Sequence, residues 1–256
     1  MTLTDEGIAV VDGDAWLSQQ VRDERRLDVH HARQLVDLMA MFIPVGGTVA
    51  DIGACLGDHT LGYADRVGPT GHVYAFEPNP VAMECLRYNM RDRPWVECSL
   101  VALADHVSRC DMGPEPNNLN NLGMTTIHRE RSDGPIEMTT LDTVATDWPR
   151  LDFIKIDVEG VEPALLWGAR QTIAKWKPPI LIEINRTALA NHGVTPAHVF
   201  RALTRFGYVF SPVCITGYQM DPRQRITEDE VDVVCVPDDH PFSDGFLSYS
   251  SNSPLT

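Results

Sequence analysis

Thr48-Val49-Ala50-Asp51-Ile52-Gly53-Ala54-Cys55-Leu56-Gly57 is an apolar run that closes on Asp-x-Gly-x-x-x-Gly. A run of this kind reads as a strand buried on both faces, and glycines at this spacing let the backbone turn sharply into a helix. Downstream, Asp58 to Arg66 reads as that helix, Gly68-Pro69-Thr70-Gly71 as a loop, and His72 to Phe76 as a second strand closed by Glu77. Pro78-Asn79-Pro80 stops this strand and opens a helix near Val81 to Arg91, because proline suits a first helical turn and not a central ladder. A third strand follows around Val96 to Val101, then an irregular stretch from Ala104 to Pro135 that contains Asn117-Asn118-Leu119-Asn120-Asn121. Beyond it come a short strand near Ile136 to Thr140, a central strand from Leu151 to Asp157, a helix from Glu162 to Ala174 and a strand from Ile180 to Ile184. Pro196 to Phe206 is a further helix. Tyr208 to Val213 and Glu230 to Val236 are close enough in sequence to form a hairpin.

Strands alternating with helices build an α/β fold, here a mostly parallel sheet with helices on both faces and an antiparallel edge strand. Upstream, residues 1–45 read as an N-terminal helical extension whose core-facing helix runs near Val29 to Phe42 and stops at Pro44 and Gly46-Gly47. Residues 46–240 are then the main domain, and 241–256, rich in Ser and Pro, a tail.

The strand ends carry the chemistry. Gly53 and Gly57 shape a turn that lacks the Gly-x-Gly-x-x-Gly of dinucleotide sites, because Ala54 and Cys55 follow Gly53. A wider turn beside an acid suits S-adenosylmethionine, which has no phosphate. Asp51 is the acid for its ammonium-bearing end, the alternative being a carboxylate that only orders the loop. Glu77 lies at the carboxyl edge, where open α/β sheets bind ligands, and a carboxylate there can accept both ribose hydroxyl protons. Asp105, in Ala102-Leu103-Ala104-Asp105, is placed at the end of the third strand for the adenine amino group. Asp157, Glu159 and Glu162 crowd the end of the central strand, and carboxylates that share a site suit a general base, for which Asp157 and Glu159 are the candidates. Glu162 reads instead as an acid at a helix start. Glu183 and Asn185 share one strand face and, with Asp157, form an oxygen set compatible with magnesium, although a divalent cation is not predicted. Among the histidines, His59 and His128 are the first to test.

Composition narrows the classes. With 43% apolar residues the chain can bury an ordinary core, and a net charge of −15 opposes nucleic-acid binding. No run approaches a membrane span, and the start has neither the basic nor the apolar region of an export signal, so a soluble protein without membrane contact is expected. The six cysteines are scattered without metal-ligand spacing, which fits a reducing cytoplasm.

Asp51-Ile52-Gly53-Ala54-Cys55-Leu56-Gly57, Ala75-Phe76-Glu77-Pro78-Asn79-Pro80, Thr140-Leu141-Asp142, Ile154 to Glu162 and Ile182-Glu183 together resemble the FkbM family of S-adenosylmethionine-dependent methyltransferases. The resemblance spans about residues 48 to 185 and departs from the common form at Cys55, Asp58 and His59. It implies a class I methyltransferase (Rossmann-like) sheet and methylation of a hydroxyl on a sugar, polyketide or other secondary metabolite. By it, Asp51, Gly53, Gly57 and Glu77 would hold the cofactor, while Asp157, Glu159 and Glu183 would line the acceptor side. The expected partner is a small-molecule alcohol, with self-association left open. Two other classes stand beside this reading: a nicotinamide-dependent oxidoreductase on a similar sheet, and a non-catalytic S-adenosylmethionine-binding module.

Overall fold

A computed structural model describes residues 1–112, 121–129, 131–214, 219–220 and 229–248. It divides into two compact units, residues 1–102 with 108–138, and residues 103–107 with 139 onward.

The first unit opens with β1 (Thr2–Leu3) and β2 (Ala9–Val10), paired antiparallel, followed by α1 (Leu17–Glu24) and α2 (His30–Met39). The extension expected to be helical therefore also carries a hairpin, turned by Gly7 at φ 76°. Next come β3 (Thr48–Ile52), α3 (Asp58–Val67), β4 (His72–Phe76), α4 (Pro80–Asn89) and β5 (Val96–Ser99). β4 lies between β3 and β5 and is parallel to both, with Asp51 level with Ala75 and Phe76 level with Ser99. Each crossover is a helix, the connection that parallel neighbours need. All five residues of β3 are buried, as an apolar run covered on both faces requires. Asn79 caps α4 by accepting from the Val81 amide at 2.9 Å, and Pro80 stands where no helical donor is needed.

The stretch from Ala104 to Pro135, expected to be irregular, is partly sheet. Beyond β6 (Ala102–Leu103), β7 (Ser108–Met112) pairs antiparallel with β8 (Ile127–His128) and with β9 (Ile136–Thr139). Polar residues disguise β7, whose Cys110 faces inward while Arg109 faces out. Asn117, Asn118, Leu119 and Asn120 lie outside the described residues.

The second unit contains α5 (Leu141–Val144), β10 (Phe153–Ile156), α6 (Glu162–Gly168), α7 (Arg170–Trp176) and β11 (Ile180–Asn185). It continues through α8 (Arg186–Asn191), α9 (Pro196–Arg205), β12 (Tyr208–Cys214), β13 (Gln219–Met220) and β14 (Glu230–Pro237). β10 and β11 are parallel; β14 runs antiparallel to β11 on one side and to β12 on the other. The α/β fold is the one expected, with one detail corrected. The antiparallel member of the final hairpin, β14, is inserted between β11 and β12, and the outermost antiparallel partner of β12 is the two-residue β13. Glu230 to Pro237 is buried along most of its length, and such a strand needs neighbours on both edges.

The helix expected from Glu162 to Ala174 is two helices meeting at Ala169. Asp142 causes the second start: its carboxylate accepts from the Gln171 and Thr172 amides at 3.0 and 2.8 Å, where α7 has donors without intrahelical partners. Among the described residues, no helix is long and apolar enough to cross a membrane. Leu247 of the C-terminal stretch exchanges two backbone bonds with Phe210 of β12, and residues 249–256 lie outside the described residues.

Candidate functional site

The cradle after β3 belongs to the first unit. Gly53, Cys55 and Gly57 have φ of 83°, 46° and 95°. Three left-handed residues in five reverse the chain between strand and helix, and Cys55 adopts the region without being glycine. Three consecutive amides are turned inward. Gly53 and Ala54 donate to the Phe76 carbonyl at 2.9 and 3.0 Å, and Cys55 donates to Glu77 Oε2 at 2.9 Å. Glu77 Oε1 accepts from the Asn79 amide at 2.7 Å. The carboxylate is thus fixed between two loops at the carboxyl ends of β3 and β4, 7% exposed.

Asp51 is fully buried, and its Oδ2 accepts from Thr60 Oγ1 at 2.6 Å, which ties β3 to α3. Gly57 has a packing reason: a Cβ there would stand 2.8 Å from Leu86 Cδ1 and 3.1 Å from Met90 Cε. Asn89 escaped the sequence reading. It is 8% exposed, and its amide bonds β2 and the cradle together. The signal was present, since Ala82, Cys85, Leu86 and Asn89 fall on one buried helix face. His59 Nδ1 lies 3.4 Å from the Tyr63 hydroxyl, and His128 stands opposite Asp111 in the β7–β8 ladder.

Asp105 is corrected as the end of the third strand. β5 stops at Ser99, a separate short strand follows, and Asp105 lies beyond it with His106 Nδ1 at 2.9 Å from its carboxylate.

An acidic cluster belongs to the second unit. Asp157, Glu159 and Glu183 each place a carboxylate oxygen within 4.8 Å of the others. Glu159 has a left-handed φ of 50° and Gly160 one of 97°, so the chain bends sharply just beyond β10. A Cβ on Gly160 would strike the Ala188 carbonyl and lie 2.6 Å from His192 Cδ2, so only glycine fits against α8. Glu162 Oε1 accepts from the Gly160 amide at 3.0 Å and Asn185 Nδ2 donates to Glu159 Oε2 at 3.2 Å; both bonds hold the bend. Asn185 turns its oxygen to the Ala188 amide at 3.0 Å as the cap of α8. One lone pair of that oxygen is thus used by α8, and the three carboxylates gathered here are Asp157, Glu183 and Glu159.

Charge dominates here. Lys155, buried on β10, donates to Asp157 Oδ2 at 2.9 Å. On the antiparallel partner, Asp232 is level with Glu183 and Glu230 with Asn185. Burial, then Asp157, Glu162 and Glu230, push Glu159 up to about 9, against a smaller downward pull from Lys155. Burial followed by Asp157, Asp232, Glu230 and Glu159 holds Glu183 well above the ordinary carboxylate range. Burial also raises Glu162, to about 7. Glu159, Glu162 and Glu183 thus hold protons that isolated glutamates would release. Lys155, Glu230 and Asp232 were not singled out from sequence. The last two become visible only through the β11–β14 register.

Comparison with known proteins follows the same stretch. The methyltransferase FkbM domain matches residues 51–210. The 2-O-methyltransferase NoeI of Sinorhizobium fredii (strain NBRC 101917 / NGR234) is 28% identical over a 174-residue alignment that covers 58% of this chain and 66% of NoeI. The chain thus spans just under two thirds of that relative. Among solved structures, the FkbM methyltransferase of Methylobacillus flagellatus KT aligns with a TM-score of 0.45 and 16% identity, over 90% of this chain and 63% of that one. Aeropyrum pernix fibrillarin, solved with natively bound S-adenosyl-L-methionine, aligns with a TM-score of 0.48 and 14% identity, over 80% and 76%. Neither TM-score reaches 0.5, and neither likeness bears on function. The domain match, by contrast, takes in well over half of the residues, and the chain belongs to the family that carries the methyltransferase FkbM domain.

Proposed function

We propose that this protein transfers a methyl group from S-adenosylmethionine to a hydroxyl oxygen of a small-molecule alcohol, such as a sugar, polyketide or other secondary metabolite. The observation that carries the choice of cofactor is the direction of the cradle amides. Gly53, Ala54 and Cys55 donate to Phe76 and Glu77 and so present no fan of N–H groups to a pyrophosphate. A nucleoside without phosphates, held through its ribose by a fixed carboxylate, suits this donor set better than a dinucleotide. Glu77 would hold the ribose, because its carboxylate is fixed by the Cys55 and Asn79 amides at the carboxyl ends of β3 and β4, where open α/β sheets bind ligands. Asp51 and Gly57 would act through the shape of the turn.

When bound, S-adenosylmethionine supplies a methyl group on a positively charged sulfur. The Asp157, Glu159 and Glu183 group would take the proton of the acceptor hydroxyl as its oxygen becomes nucleophilic. Lys155 would keep the cluster from full neutralisation by holding a positive charge 2.9 Å from Asp157. Transfer to oxygen is favoured by the likeness to NoeI, a 2-O-methyltransferase.

Calorimetric titration with S-adenosylmethionine and, separately, NADH tests the cofactor. Binding of the first alone is expected, and binding of NADH alone overturns the reading. Labelled S-adenosylmethionine incubated with a panel of glycosides and polyketide alcohols tests the reaction, with Asp157→Asn as the control. Label in an ether product that the variant does not form is expected. Binding without transfer to any alcohol would favour a cofactor-binding module.

A further inference from the structure

We propose that the N-terminal strand β2 is a working part of the cofactor site, and that Asn89 is the positioning residue connecting the two. This rests on the reading that the cradle holds S-adenosylmethionine. It adds a segment lying wholly before residue 51, where the matched domain begins.

The side chain of Asn89, at the end of α4, uses both of its polar atoms in the interior. Its Oδ1 accepts from the Ala9 amide at 2.8 Å, and its Nδ2 donates to the Ala9 carbonyl at 3.0 Å and to the Leu56 carbonyl at 2.9 Å. Leu56 lies between Cys55 and Gly57 in the cradle. A buried amide that makes all three of these bonds has one stable orientation, because turning it places donor against donor. The position of Leu56 is therefore fixed by β2 as much as by α4. Packing repeats the connection: Ala9 and Val10 share one buried cluster with Ala54 and Leu56.

Further bonds hold β2 in place. Asp14 accepts from the Ser18 amide at 2.7 Å and from the Leu122 amide at 3.3 Å, and Ser18 Oγ accepts from the Val11 amide at 3.1 Å. The segment from Ala9 to Ser18 is consequently a strap, bonded internally and to the cradle through Asn89.

The test measures S-adenosylmethionine affinity by calorimetry for Asn89→Leu, Ala9→Pro and Val21→Ala. Asn89→Leu removes all three bonds. Ala9→Pro removes the Ala9 donor and sets a ring carbon against Asn89 Oδ1, while the Leu56 carbonyl keeps its own donor on Asn89. Val21→Ala loosens the same cluster from α1 and leaves all three Asn89 bonds in place. Asn89→Leu is expected to weaken binding at least about 10-fold and Ala9→Pro at least about 3-fold, on the scale of one to three buried hydrogen bonds. Val21→Ala, at a comparable loss of thermal stability, should stay within about 2-fold of the parent, since its effect is on folding. Amide exchange in the Gly53 to Gly57 turn should quicken in the first two variants and not in the third. Under saturating cofactor, turnover should recover, so that the defect lies in the cofactor KM. Unchanged affinity in Asn89→Leu, or an equal loss in Val21→Ala, overturns the inference while the parent still binds. A parent that does not bind S-adenosylmethionine overturns the proposed function together with this inference.

Discussion

Glu77 is a fixed acceptor, since the amides of Cys55 and Asn79 hold one oxygen each. Glu77→Gln keeps the shape but sets an NH2 donor against an N–H donor, so S-adenosylmethionine affinity should fall about 30-fold, roughly 2 kcal/mol. Calorimetric binding checks this, and parental affinity would remove Glu77 from the cofactor site. Gly57→Ala should fail differently. Its φ of 95° and the Leu86 Cδ1 at 2.8 Å from the new Cβ combine strain with overpacking, costing about 1–3 kcal/mol in denaturant unfolding. Asp51 and Glu77 were legible as candidates because acids at the ends of apolar strands stand out against the run before them. Asn89 and Thr60 were not, because their importance depends on partners that only the folded chain supplies: Leu56 with Ala9, and Asp51.

The α6–α7 break shows what local sequence leaves out. Gly168 weakens a helix by only about 1 kcal/mol relative to alanine, and the second helix starts where it does because Asp142, 29 residues before Gln171, caps it. Asp142→Ala should therefore cost about 1–2 kcal/mol in unfolding free energy, the range of a lost cap, with turnover per folded molecule unchanged. That places the Thr140-Leu141-Asp142 stretch with architecture, although sequence presented it only as part of a family pattern. The bend after β10 carries the carboxylates proposed above as the base. If the acidic cluster takes the hydroxyl proton, its proton-free form is the active one, and kcat/KM should climb as pH rises toward the Glu159 value of about 9. Lys155 lowers that value and Glu162 raises it, so Lys155→Met should move the limb to higher pH and Glu162→Gln to lower pH, each by about one unit. A limb unmoved by both changes would detach the cluster from the chemistry.

For the molecule as a whole, charge and titration act in the same direction. A net charge of −15 is self-repelling, and it grows as remaining protons leave. Glu159 adds a specific contribution. Its folded value, about 9, exceeds the ordinary 4.5, so folded protein holds a proton that unfolded chain has released between those values. Stability from this group is therefore greatest at the acid end of that window and declines as pH rises through it. Thermal melts should show a higher Tm at pH 6 than at pH 8.5, and Glu159→Gln should raise Tm at pH 8.5 by roughly 3 °C, the shift of about 1 kcal/mol in a chain of this size. The alternation of strands and helices was readable because burial on both faces leaves an unmistakable apolar run at Thr48–Ile52 and at Phe153–Ile156. The rank of the strands was not readable, because proximity in sequence proposes a hairpin without saying which of its arms lies innermost. That rank has a consequence for biogenesis. β14 is translated after β12 yet wedges between it and β11, so β12 has to wait for residues 230–237 to leave the ribosome before it can join β14 and, through it, β11. A nascent chain stalled before that point should remain open to protease around Tyr208–Cys214, and release of the next few dozen residues should close it.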